Sequence, residues 1–264
     1  MNPPAEIARI YSEAGAGKTR LAAGKMFVLA VFAGIFIGFG AVGNAVAKCG
    51  VQPASLSSVV GALVFPIGLM MVLCAGAELF TGNNLILLSV ADRKATLKGM
   101  LWNWLIVYLG NFVGSILLAA AVVYGHTYGA AGSDSALAHA VVGTASVKCG
   151  LSFGDAFLRG ILCNFLVCIA VWVAFAAKEL AGKIIGLMLP IFMFVLCGFE
   201  HCVANMYFIP AGIFASGVYG IDPGHASWGA FFLRNLLPVT LGNIVGGSAL
   251  VAMGYWYAYL KKSN

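Results

Sequence analysis

Six runs of apolar residues, each long enough to cross a bilayer, constrain this chain more than any other feature. They fall near residues 22–47, 57–89, 99–124, 153–177, 184–217 and 229–259. A crossing needs about 20 mostly apolar residues, and in hydrocarbon only a helix or a closed barrel satisfies its own backbone N–H and C=O groups. Runs of this length predict an all-α integral membrane protein with six transmembrane helices. Composition agrees: 61% of the residues are hydrophobic and 9% charged, against about 25% charged in a soluble domain. No soluble domain separates from the rest, so residues 1–264 read as one transmembrane domain. Residues 1–21 form an N-terminal segment, 22–124 a first repeat and 153–259 a second. The second and fifth runs are interrupted midway by glycine and polar residues.

The first 20 residues hold Pro3, Pro4, Glu6, Arg9, Glu13, Lys18 and Arg20 and lack the apolar core of a cleaved signal. The string GAGKT at 15–19 ends like a phosphate-binding loop, but that motif requires glycine where Ser12 stands, which removes nucleotide binding. Ile7, Ile10, Tyr11 and Ala14 recur at helical spacing, compatible with a helix along the membrane surface or with a frayed basic terminus. The net charge of +6 does not form a basic patch interleaved with aromatics, so nucleic acid is not expected as a partner. The charges instead sort by side. With six passes and a cytoplasmic N-terminus, eleven Lys and Arg residues, Lys261 and Lys262 included, face the cytoplasm. Only Lys48, Lys148, Arg159 and Arg234 face outward. The positive-inside rule then puts both termini in the cytoplasm of a cell inner (plasma) membrane. Seven cysteines, an odd number mostly within spans, make no disulfide framework, although Cys49 and Cys149 share the outer side.

The interruptions belong to a repeat. CAGAELFTGN at 74–83 aligns with CGFEHCVAN at 197–205 across one gap, pairing Gly76 with Gly198, Glu78 with Glu200 and Asn83 with Asn205. WNWLIVYLGNFVGS at 102–115 aligns with RNLLPVTLGNIVGG at 234–247, with LGNxVG shared outright. Each half carries three helices, an odd number, so the second half enters the membrane from the opposite side. Matched breaks in such an inverted repeat point to a substrate path at the midplane. Half-helix ends there offer backbone donors and partial positive charge to an anion, with Asn83 and Asn205 placed to cap them. Glu78 and Glu200 are expected to accept the backbone N–H groups freed at the breaks. The GxxxG spacings Gly110/Gly114 and Gly242/Gly246 imply close helix packing, within one subunit or between subunits.

GFEHCVANMYFIPAG, GAELFTGN and GILCNFLVCIAVW at 160–172 resemble the formate/nitrite transporter family, whose members include formate, nitrite and hydrosulfide channels. The resemblance implies an aquaporin-like fold with an inverted 3+3 repeat and broken helices 2 and 5, a homopentamer, and one pore per subunit. It makes His201 the central pore residue with Thr81 beside it, and places Lys148, Asn164 and Glu200 around the pore. Leu79, Phe80 and Val167 would form the inner constriction, and Phe65, Leu69 and Phe194 the outer one.

The function these readings imply is a channel for small inorganic or one-carbon monovalent anions of weak acids. Apolar gates strip an anion of water, and His201 with Thr81 would hold or protonate it between them. The cysteine-rich core leans the reading towards hydrosulfide. A neutral-solute channel of the water and glycerol type is the alternative, but its paired Asn-Pro-Ala boxes are missing: the comparable strings are Gly82-Asn83-Asn84 and Ala204-Asn205-Met206. An enzyme would need clustered ligands or an activated nucleophile, whereas the four histidines are scattered at 126, 139, 201 and 225. No cofactor and no metal is expected.

Overall fold

Every apolar run becomes helix, and each interrupted run becomes two. The computed structural model describes residues 1–261, so Lys262 of the charge count lies outside the described residues. Ten helices follow in order: α1 (Pro4–Thr19), α2 (Ala23–Lys48), α3 (Ala54–Ala75), α4 (Phe80–Ala91) and α5 (Leu97–Tyr124), then α6 (Ala136–Cys149), α7 (Phe153–Ala176), α8 (Leu180–Leu196), α9 (Cys202–Tyr219) and α10 (Trp228–Tyr259). Among the described residues there is no strand. Helices α3/α4 and α8/α9 are the two broken spans. Each half therefore contains five corresponding elements, and the short helix α6, in a stretch with no apolar run of its own, is the counterpart of α1.

Each half closes on itself through glycine. Helix α5 packs along α2 and α10 along α7. A Cβ on Gly114 would overlap the carbonyl oxygen of Val31, and one on Gly246 that of Ile161. Both GxxxG pairs thus serve packing within the subunit, where backbones approach too closely for any side chain. Two stretches of α10, Phe231–Leu236 and Val245–Ala252, take π-helical geometry; the first carries Asn235 to partners named below, and the second carries Ser248, whose hydroxyl donates to the carbonyl of Asn84 at 2.9 Å. The outside is apolar, as a lipid-facing surface must be: Leu117, Leu189 and Leu233 are 57%, 66% and 69% exposed.

Helix α1 buries one face against the rest of the subunit. Its buried stripe is Ile7, Ala8, Tyr11, Ser12, Gly15 and Ala16, rotated from the face expected of it, and it packs against α4, α7 and the end of α10. The reason is contact with protein: Gly15 sits against the Ser89 hydroxyl with no room for a Cβ, and Ser12 donates to Asp92 at 2.6 Å. At the adjoining turn, Lys94 bonds Glu13 at 2.8 Å, and that carboxylate raises its ammonium pKa above the usual value.

Candidate functional site

The two breaks are one local structure used in opposite directions. Helix α3 ends at Gly76 with φ 82°, and α8 is followed by Gly198 with φ 66°, the left-handed region that glycine enters without steric cost. The chain then runs extended through Leu79 in one break and His201 in the other before the next half-helix begins. Interrupting a helix frees backbone groups that hydrocarbon cannot satisfy. One asparagine per half takes a carbonyl and an N–H of the break and ties them to a neighbouring helix. Asn111 Nδ2 donates to the carbonyls of Ala30 at 2.8 Å and Glu78 at 2.9 Å, while its Oδ1 accepts from Phe80 N–H at 2.9 Å. Asn243 repeats the clamp: Nδ2 donates to Gly160 O at 2.8 Å and Glu200 O at 2.9 Å, and Oδ1 accepts from Cys202 N–H at 2.9 Å. These are the asparagines of the shared LGNxVG string, so the motif match is the clamp that holds each break open.

With the backbone satisfied by asparagine, the glutamates take another part. Glu78 and Glu200 were expected to accept freed N–H groups; instead each buried carboxylate accepts from side chains. Glu200 takes Lys148 Nζ at 2.8 Å and Asn205 Nδ2 at 2.6 Å. Glu78 takes Lys18 Nζ at 2.6 Å and Asn83 Nδ2 at 2.7 Å. Asn83 and Asn205 consequently do not cap: each sits within its half-helix, and its amide donates to the carboxylate and to Asn103 Oδ1 at 2.9 Å or Asn235 Oδ1 at 2.7 Å. A cap must offer an oxygen to the first turn, and these side chains turn their NH2 groups to a charge instead. Asn103 and Asn235 then donate to the backbone carbonyls of Lys18 and Lys148. Each Lys–Glu–Asn–Asn cluster is the image of the other. Lys18, read from the sequence only as a cytoplasmic charge, is the counterpart of Lys148, and the equal spacing from Lys18 to Val31 and from Lys148 to Ile161 was the available signal.

The asymmetry lies at His201. Its side chain caps α9, with Nδ1 accepting the Ala204 N–H at 3.0 Å. An accepting Nδ1 carries no proton, so the ring proton is on Nε2. Nε2 lies 2.8 Å from Thr81 Oγ and donates to it, and the Thr81 hydroxyl proton is left to donate elsewhere. Asn164 stands behind: its Nδ2 reaches Thr81 O at 3.2 Å, Asn84 Oδ1 at 2.8 Å and Asn243 O at 2.7 Å, fixing the loop that holds Thr81.

Cavities flank this centre on both sides. One of about 500 Å³ opens on the side opposite the termini and is lined by Lys48, Lys148, Phe65, Phe194, Phe208 and His201, among others. Another of about 300 Å³ opens on the side of α1 and is lined by Tyr11, Lys18, Lys183, Glu78, Leu69 and Leu79, among others. Between them is a space of about 10 Å³ bounded by Ile37, Phe65, Leu69, Leu79, Val167, Ile191, Phe194 and His201. A ladder of rings leads inward from the larger cavity: Lys148 Nζ is 5.4 Å from the Phe208 ring, Phe208 stacks on Phe65 at 6.3 Å, Phe65 meets Phe194 at 5.6 Å, and Phe194 meets the His201 ring at 5.9 Å. Leu69 borders the middle space and the smaller cavity. Phe80 lines none of the three; its ring packs edge-on against Trp104 and Tyr108. Cys163, Cys168 and Cys202 are buried and free and line none of them either. Among the described residues no three His, Cys, Asp or Glu side chains come together as a metal site.

Comparison with known proteins bears on the same residues. A family described as formate/nitrite transporter matches residues 5–257. A probable formate transporter of Methanothermobacter thermautotrophicus is 41% identical over 98% of this chain and 97% of its own. The formate channel FocA of Escherichia coli strain K12 is 37% identical over 99% of this chain and 95% of its own. Among solved structures, a pentameric formate channel with formate bound superposes with a TM-score of 0.81 at 39% identity, covering 91% of this chain and 98% of the other. An ion channel of the same family gives 0.85 at 29% identity, covering 96% and 98%.

Proposed function

The chain belongs to the formate/nitrite transporter family, whose members are membrane channels and transporters rather than enzymes, and from that premise we propose that it passes formate or an anion of the same size and charge through a pore in each subunit of a homopentamer. The observation that carries the proposal is the middle space of about 10 Å³, walled by hydrocarbon except for the His201 ring, with a lysine-bearing cavity on each side. The lysine excess on one side supports an inner-membrane protein whose α1 cavity is cytoplasmic. Phe65 and Phe194 are then the outer constriction, and Leu69, Leu79 and Val167 the inner one.

An anion entering that space loses its water, which disfavours the charged form of a carboxylate. It therefore takes up a proton from solvent in a vestibule and crosses as the neutral acid. His201 supplies a hydrogen bond and not the proton. Its Nδ1 is committed to the α9 cap, and its Nε2–H polarises the Thr81 hydroxyl, which donates to the passing molecule. Formate comes first because the named relatives carry it. Cys163, Cys168 and Cys202 line none of the three spaces, so the cysteine-rich core no longer argues for hydrosulfide. A neutral-solute channel has no use for lysines in both cavities. Uptake of formate, nitrite, hydrosulfide and glycerol into proteoliposomes across pH tests the reading: formate flux that rises as pH falls, with glycerol excluded, supports it. Glycerol flux without anion flux contradicts it.

A further inference from the structure

Four lysines line the two cavities, and they are of two kinds. Lys148 and Lys18 are each paired with a buried carboxylate at 2.8 and 2.6 Å, so each pair is neutral and acts beyond its own contact only as a dipole. The other two have no acidic partner among the described residues. Lys48, the last residue of α2, is partly buried and lines the larger cavity. No Asp or Glu lines that cavity, and Glu200, the carboxylate bonded to its lining residue Lys148, is held in that pair. Lys183, in the first turn of α8, lines the smaller cavity, and its Nζ donates to the carbonyl of Leu73 near the end of α3 at 3.1 Å. The only carboxylate lining that cavity is Glu78, held by Lys18. Each mouth is left with one uncompensated positive charge, and in both cases it lies outside the Lys–Glu cluster.

We propose that Lys48 and Lys183 are the specificity-determining charges of this channel: they concentrate small anions in the two vestibules, while the Lys148–Glu200 and Lys18–Glu78 pairs hold the broken helices in place. The proposal rests on the anion-channel reading above. The two positions are not images of each other in the repeat, since the counterpart of Lys48 is Lys178, so the two mouths draw their free charge from different places in the frame. A unit charge about 8 Å from an anion, in a medium of effective dielectric about 40, raises its local concentration about fivefold. Salt removes that gain: the screening length falls from about 30 Å at about 10 mM to about 3 Å at about 1 M.

The test is initial formate flux into proteoliposomes of neutral lipid at those two ionic strengths, for the wild type, Lys48→Met, Lys183→Met, the double Met variant and the double Arg variant. The wild type is expected to lose severalfold flux as salt rises. The double Met variant should start at the high-salt level and stay flat, each single variant should fall between, and the double Arg variant should restore the salt dependence. A double Met variant with wild-type salt dependence overturns the proposal. So does one that loses the same factor at both ionic strengths, because that is a structural defect and not a lost field. If the wild type passes no anion at any salt, the channel reading itself fails and takes this inference with it.

Discussion

Thr81→Val is the sharpest single substitution the site allows. Valine matches threonine in shape, and Thr81 is fully buried, so the change removes a hydroxyl and little else. One observed hydrogen bond goes with it, the one that receives His201 Nε2–H at 2.8 Å, and so does the one we propose the hydroxyl offers to the passing molecule. A polar group of the neutral acid left without its donor in this apolar space costs about 1–3 kcal/mol. Each 1.36 kcal/mol in the barrier is a factor of ten. Formate flux should therefore fall roughly 5- to 150-fold in stopped-flow proteoliposome uptake, and Thr81→Ser should recover most of it. The fold should survive, because the Thr81 backbone is still held by Asn164. A Thr81→Val protein that elutes as the wild type and keeps flux within about twofold would refute the donor relay, since about 1 kcal/mol is the least that relay can be worth.

Asn111→Leu and Asn243→Leu should destabilise alike, because each removes three buried hydrogen bonds; from about 0.6 kcal/mol per bond in lipid to about 3 in a dry interior, thermal melts in detergent should show losses of about 2–9 kcal/mol. Glu200→Gln leaves Lys148 as an uncompensated charge and should cost about 3–5 kcal/mol in the same melts; an unchanged midpoint would mean that the pair is not buried in the working protein. Gly246→Val drives a side chain into the Ile161 carbonyl and should abolish recovery of folded protein by size-exclusion chromatography. Tyr11→Phe removes the hydroxyl that donates to Gly82 O at 3.2 Å and should lower stability by about 1 kcal/mol.

The sequence made the six crossings and the paired breaks legible because both are local: hydrocarbon length for the first, and Gly and polar residues at matched places for the second. The repeat was readable at Asn111 and Asn243, whose roles as clamps were not, since a side-chain hydrogen bond to another helix leaves no pattern along the chain. Helix α6 was missed because its 14 residues are too short for an apolar run and lie between spans. Asn83 and Asn205 were misread for the opposite reason. Their residue type favours a cap, but two buried carboxylates compete for the same amides and win on charge. Lys18 looked like one of eleven cytoplasmic charges until the fold brought it to Glu78. His201 is legible from its place in a mirrored helix break and from the family resemblance, whereas its tautomer needs the geometry of the α9 cap.

The central claim is that His201 gives the substrate's path a hydrogen bond and not a proton. Formate flux of His201→Phe against pH, beside the wild type and with thermal midpoints matched as a control on folding, tests it most directly. The account predicts a loss of at least about fivefold at every pH, from the loss of the Nε2–H donor, with the slope of flux against pH kept, because the proton comes from solvent. Flux and pH dependence both unchanged would contradict it, and so would a retained flux with a flattened pH profile, which would make His201 the proton donor after all.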